Sequence, residues 1–228
     1  MRAALLALAL LIAPAWAAND FAYTQKVGAG ALCVPGTPLC GQVTVIDSRP
    51  LADCRRASLA GARCLPAEDF LGPQRRLPSE RDILWLLGTA GLAGSETVLV
   101  IGQDATARDF VAGLLYLAGQ KSVRILTGPL PRLAGSAIGG QERGMVRSTV
   151  WTAPMRDHLW VLGADILREK PTLVDAREPG QKLAAAGGVI VADDAYRAIA
   201  RFTQLRAGQG LAVRVHPGSL AMASGSAR

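Results

Sequence analysis

Nucleophiles and metal ligands are scarce in this chain. Its four cysteines, Cys33, Cys40, Cys54 and Cys64, all fall in the first third, and the second half has none. Only two histidines occur, His158 and His216, both far from the cysteines in sequence. With no Cys-x-x-C pair either, no zinc-ligand pattern is present, and no metal or other cofactor is expected. Long apolar runs are equally scarce. Beyond Ala3 to Ile12 nothing approaches the roughly 20 residues that span a bilayer, so no transmembrane segment is expected once that run is removed. Charged residues are 19% of the chain and apolar residues 50%, which excludes disorder for its bulk.

What is present begins with an export signal. Met1-Arg2 is a short basic start, Ala3 to Ile12 an apolar run, and Ala15-Trp16-Ala17 a small-x-small cleavage pattern. Cleavage after Ala17 is expected, and the bacterial periplasm is the expected destination. An uncleaved anchor would need a longer apolar run. In an oxidising compartment the cysteines are expected to pair; three pairings are possible, and the local one, Cys33 with Cys40 and Cys54 with Cys64, is preferred. The formal charge of +7, or +6 without Arg2, comes almost wholly from scattered arginines. An exported protein seldom meets nucleic acid, so such a surface suits small anions, acidic partners or anionic lipid when it is more than a solvated basic face.

About 210 residues remain after the leader, enough for one large or two small domains. Residues 18–41, rich in Gly, Pro and Ala, read as an irregular arm. A β-branched strand is expected over Gln42 to Asp47, stopped by Ser48-Arg49-Pro50. Ser79 is an N-cap for a helix running to Gly88, and Glu96 to Ile101 is a buried strand. Ala105 to Ala118 has helical spacing of apolar residues, and Ser122 to Leu126 is another strand. Alternation of strand and helix with short connections implies a parallel sheet. Residues 135–156 read as a linker. Beyond them Val174-Asp175-Ala176-Arg177 echoes Ile46-Asp47-Ser48-Arg49, and Leu211 to His216 is the expected match to the strand Val98 to Ile101, so residues 157–228 read as a cut-short second module.

The strand ending Asp47-Ser48-Arg49, the turn Ser58-Leu59-Ala60-Gly61-Ala62 with Pro66, the strand and loop over 97–108, Leu117-Ala118-Gly119 and Val123 to Leu126 before Thr127-Gly128 together resemble rhodanese-like sulfurtransferase domains. The resemblance covers 42–134 and implies an α/β fold, a rhodanese-like parallel sheet flanked by helices on both faces. Residues 157–228 resemble, more faintly, the start of another such domain.

Asp47 can pair with Arg49, and Gly61 permits a turn, so these three are expected to be architectural. Active members of the family carry sulfur on a cysteine at the first loop position, where amides at a helix N-terminus stabilise the thiolate. The resemblance places Gly102 there. The spacing Gly102 to Arg108 also resembles the Cys-x5-Arg loop of related phosphatases and arsenate reductases, again without the cysteine. The implied protein is catalytically inactive and binds an unidentified protein partner or a small anion. Gly102, Gln103, Ala105, Thr106 and Arg108 are the anion-loop candidates, while Asp104 is expected to cap the helix and repel a second negative charge. The alternative is a working sulfurtransferase using Cys54 or Cys64, which flank the turn. In the second half the corresponding loop is expected near His216-Pro217-Gly218.

Overall fold

The computed structural model of the chain describes residues 20–25, 43–128, 138–178 and 186–219. The leader with its cleavage site, and Cys33 and Cys40, lie outside these residues.

Two β-branched, apolar segments, Val43–Asp47 (β2) and Thr97–Ile101 (β4), pair in parallel along their whole length, with Asp47 opposite Ile101. Phe21–Thr24 (β1), Arg63–Cys64 (β3), Ser122–Leu126 (β5) and Gln141–Glu142 (β6) complete a six-stranded parallel sheet in the order β1-β5-β4-β2-β3-β6. Helices Leu51–Arg56 (α1), Glu80–Thr89 (α2) and Ala105–Leu117 (α3) connect the strands. Because side chains alternate along a strand, Val98 and Val100 face the main core with Phe110 and Leu114, while Leu99 and Ile101 face a smaller cluster with Leu59 and Ala62. Ser79 caps α2, its hydroxyl accepting from the Asp82 amide.

Two segments differ from the sequence expectation. The arm at 18–41 is not irregular throughout, since Phe21–Thr24 forms the strand beside β5. Nor is 135–156 a free linker: Gln141–Glu142 pairs with β3, and Trp151 is buried, its Nε1 donating to the carbonyls of Ala118 and Ala153. The first unit therefore recruits chain from beyond both ends of 42–134.

The second half contains Gly163–Glu169 (α4) and a three-stranded parallel sheet of Leu173–Asp175 (β7), Ala186–Ala192 (β8) and Ala212–Ser219 (β9), with Ala195–Gln209 (α5) joining β8 to β9. The order β7-β8-α5-β9 repeats that of β2-β4-α3-β5. Leu211 to His216 thus stands where β5 does, and β8, not that segment, is the counterpart of β4. Residues 176–185 alone separate β7 from β8, whereas 48–96 separate β2 from β4. Helices α3 and α5 pack closely, and a β-carbon on Gly113 would collide with Thr203 Oγ1. One main core spans both halves, joining Phe110 and Val111 to Val174, Ile190 and Phe202. No helix among the described residues is long and apolar enough to cross a membrane.

Candidate functional site

Chain crossing out of a parallel sheet into a helix exposes free amides at the helix start, so the C-terminal end of β4 is the natural place for chemistry. The register of β2 against β4 sets Ser48 beside Gly102. The Ser48 amide and hydroxyl both donate to the Ile101 carbonyl, each at 2.9 Å. A β-carbon built on Gly102 would overlap Ser48 Oγ and lie 3.2 Å from Arg108 Cβ. Ser48 is 2% exposed, so its hydroxyl is a fixed part of this wall.

Beyond Gly102 the loop exposes Gln103, Asp104 and Ala105, with Thr106 half-buried. Asp104 is the N-cap of α3, and its Oδ1 accepts from the Ala107 amide at 2.6 Å. The same oxygen accepts from the Tyr196 hydroxyl at 3.5 Å, across from the start of α5. Burial first, then the charge of Asp104, pushes the Tyr196 hydroxyl up to about 12. The Arg75 guanidinium lies 4.5 Å above the Tyr196 ring.

Arg108 does not serve the loop as the sequence suggested. It is buried, and its Nη2 and Nε donate to Asp109 Oδ1 at 3.1 and 3.3 Å. Gln204 donates to the other carboxylate oxygen at 3.3 Å. Burial raises the Asp109 carboxyl above its usual range despite these partners. An arginine held this way is not presented to an anion on the loop.

Asp47 and Arg49 form a second cluster at the end of β2. Asp47 is fully buried; Arg49 Nη2 donates to its Oδ2 at 2.6 Å, and Ser58 Oγ donates to the same oxygen at 2.6 Å. Arg49 also donates to the Ala57 carbonyl, tying β2 to the following turn. That turn passes through Gly61 at φ +73°, where nothing would touch a β-carbon, so glycine is required for backbone conformation alone.

Cys54 and Cys64 are joined in a disulfide that ties α1 to β3. Both are buried, and the Gly140 backbone lies on both sulfurs, leaving no room for a β-carbon. Neither cysteine lines the 102–108 loop as a free thiol.

The second half has its own version of the loop. It follows β8 as Asp193-Asp194, and Asp194 caps α5 by accepting from the Arg197 amide at 2.8 Å. His216, Pro217 and Gly218 are not that loop, because they continue β9. His216 is buried with Nδ1 2.8 Å from the Val161 carbonyl, and Gly218 packs against its ring. Sequence reasoning missed Asp194; the signal was Val-Ile-Val-Ala-Asp-Asp-Ala, an apolar run followed by a capping residue.

Two clefts occur away from the loop. One of about 630 Å³ is lined by Leu51, Ala52, Arg55 and Arg56, and one of about 280 Å³ by Asp20, Phe21, Tyr116, Arg206 and Gly210 to Ala212. No residue of 102–108 lines either.

This sheet order and its crossing helices define a rhodanese-type α/β fold. Solved structures of that fold match the chain over most of its length. YnjE is 17% identical, with a TM-score of 0.61 over 82% of this chain and 61% of that one. A probable thiosulfate sulfurtransferase is 21% identical, with a TM-score of 0.56 over 81% and 96%. SseA from Escherichia coli, a 3-mercaptopyruvate sulfotransferase, is 13% identical, with a TM-score of 0.62 over 79% and 93%. The chain thus spans about three fifths of YnjE. At these identities the likeness is one of fold. No protein-family model matches the chain, and no curated protein matches it in sequence.

Proposed function

We propose that this chain is an exported rhodanese-like protein that has lost the sulfur-carrying position and acts by binding a partner rather than by transferring sulfur. The observation that carries the reading is the wall at Gly102: no thiol is present, and the space a side chain would need is taken by Ser48 Oγ. Burial of Arg108 against Asp109 and use of the Ala107 amide by Asp104 weaken the loop as an anion site. A protein partner is therefore favoured over a small anion bound there. The sulfurtransferase alternative loses its carriers while Cys54 and Cys64 remain bonded to each other beneath Gly140.

In this reading residues 157–228 are a degenerate second rhodanese-like module, reduced between β7 and β8. It has kept the helix and flanking strands needed to pack on the first unit.

The test is a thiosulfate-to-cyanide sulfur-transfer assay on the purified chain, with cysteine pairs mapped by mass spectrometry. No thiocyanate is expected, and Cys54 and Cys64 are expected in one cross-linked peptide. Turnover abolished by replacing either cysteine would establish the alternative. N-terminal sequencing of the protein recovered from the periplasm is expected to begin at Ala18.

A further inference from the structure

We propose that the cleft at the C-terminal ends of α3 and α5 binds a small carboxylate. It encloses about 280 Å³ and lies at the far end of α3 from Gly102, some ~18 Å away by helix rise. It is therefore a site separate from the 102–108 loop, and it stands whether or not that loop is catalytically silent.

Tyr116 is its centre. Phe21 stacks on the ring at 4.1 Å, the Arg156 guanidinium lies 4.0 Å from the ring centroid, and the Arg206 guanidinium 5.6 Å. Among the described residues neither arginine has an ion-pair partner within 4 Å, and the two positive charges share one aromatic ring, with Asp20 the carboxylate that acts on Arg156. Arg156 directs its donors to the carbonyls of Tyr116 and Gln120, closing the end of α3. Burial holds Arg156 below the usual guanidinium range, and the charge of Arg206 adds to that while Asp20 offsets it.

The free hydrogen-bonding capacity belongs to Arg206 and Tyr116. Arg206 Nε donates to the Tyr116 hydroxyl oxygen at 3.4 Å and Nη1 to the Val213 carbonyl at 3.3 Å. Because the tyrosine oxygen is the acceptor in that bond, its own O–H is left to donate elsewhere, and Arg206 Nη2 has no bond among the described residues. A carboxylate has two oxygens and can accept from the phenol and the guanidinium together. Beside these polar groups Leu211 and Ala212 offer apolar contacts, which a short organic acid can use and a bare inorganic oxyanion cannot. Asp20 also lines the cleft; its carboxylate opposes an anion and sits at the exposed rim.

The experiment is an amide chemical-shift titration of the full-length chain with butyrate, alongside sulfate and butylamine. Butyrate is expected to move the resonances of Gly210 to Ala212 with millimolar affinity, ahead of sulfate, with no response to butylamine. Tyr116→Phe keeps the stacked ring and removes the hydroxyl, and should weaken binding about tenfold, the usual cost of a lost hydrogen bond to a charged group. Arg206→Gln should weaken it at least as much, and Asp20→Asn should leave it equal or tighter. No shift around 210–212, wild-type affinity in both the Tyr116 and Arg206 variants, sulfate binding as tightly as butyrate, or weaker binding in Asp20→Asn would each overturn the proposal.

Discussion

The hydroxyl of Ser48 occupies the space that a β-carbon on Gly102 would need. The two residues directly follow the neighbouring strands β2 and β4, and the Ser48 side chain is fixed there by its bond to the Ile101 carbonyl. Gly102→Ala must therefore push a buried hydroxyl out of its bond, at a cost of about 1–3 kcal/mol. Ser48→Ala should cost about 1 kcal/mol by itself. Urea denaturation of both single variants and the double should give a double-mutant cost clearly below the sum, because Ser48→Ala removes the obstacle.

The same wall sets what would restore a sulfur carrier. Gly102→Cys alone should be inert in the thiosulfate assay, since the new side chain collides with Ser48. Adding Ser48→Ala makes room, and adding Asp104→Ser removes the nearby carboxylate while retaining a capping hydroxyl. The triple variant should show weak thiocyanate formation with a thiol pKa below the usual ~8.5. Alkylation rate against pH reads that pKa, and a normal value would show that the helix start does not stabilise a thiolate at this position.

Capping by Asp104 can be isolated from its other contacts. Asp104→Ala should lower stability by about 1 kcal/mol, and Asp104→Asn or Asp104→Ser by only a few tenths. Thermal unfolding of the three variants side by side checks the order. A loss as large in Asp104→Ser as in Asp104→Ala would assign the effect to Tyr196 instead of the helix.

The Asp-x-Arg pairs at the ends of β2 and β7 share a hydrogen-bond pattern and differ in burial. At Asp47 the carboxylate is buried, whereas at Asp175 the pair is open to water, with the Arg177 side chain 47% exposed. Asp47→Asn should destabilise by about 2 kcal/mol, because the half-buried Arg49 guanidinium loses the charge that it donates to. Disrupting the second pair through Arg177→Gln should leave stability unchanged within error, as for most surface ion pairs. Chemical denaturation of the two variants checks the contrast.

Glu96 provides a pH signature. Burial alone would raise its carboxyl, but the Ala93 and Gly94 amides and Gln120 donate to it and hold it below its ordinary value of 4.5. A depressed carboxylate contributes stability above its unfolded value and loses it as pH falls through the folded one. The stability gap between wild type and Glu96→Gln should therefore be largest near pH 7 and shrink steadily below about pH 4.5. A gap that stays constant with pH would mean the side chain acts by shape and not by charge.

Much of the fold was legible because local signals agreed. Ser122 to Leu126 matched its strand at both ends, and Ser79 and Asp104 stood where capping residues belong. What escaped depended on partners distant in the chain. Phe21–Thr24 is too short to read as a strand, and it exists because β5, a hundred residues away, offers it an edge. Ala186–Ala192 opens with alanine and glycines, poor strand formers, so its pairing comes from β7 and β9. At the site, Gly102 was visible but Ser48 was not, since their contact follows from strand register. Arg108 was assigned to the loop by spacing, and only packing shows that its neighbour Asp109 holds it.

Gly113 decides how the two halves can be inherited. Where α3 crosses α5 it brings the helices to a distance that no larger residue permits, with Thr203 and Ile199 seated directly on its backbone. The two halves meet at this crossing and in one shared core as a riveted joint, unlike beads on a string. Neither half can be exchanged for a relative's without also importing the matching side of the crossing. Variation in this lineage should therefore accumulate at the distant sheet edges and leave the middle of both helices unaltered.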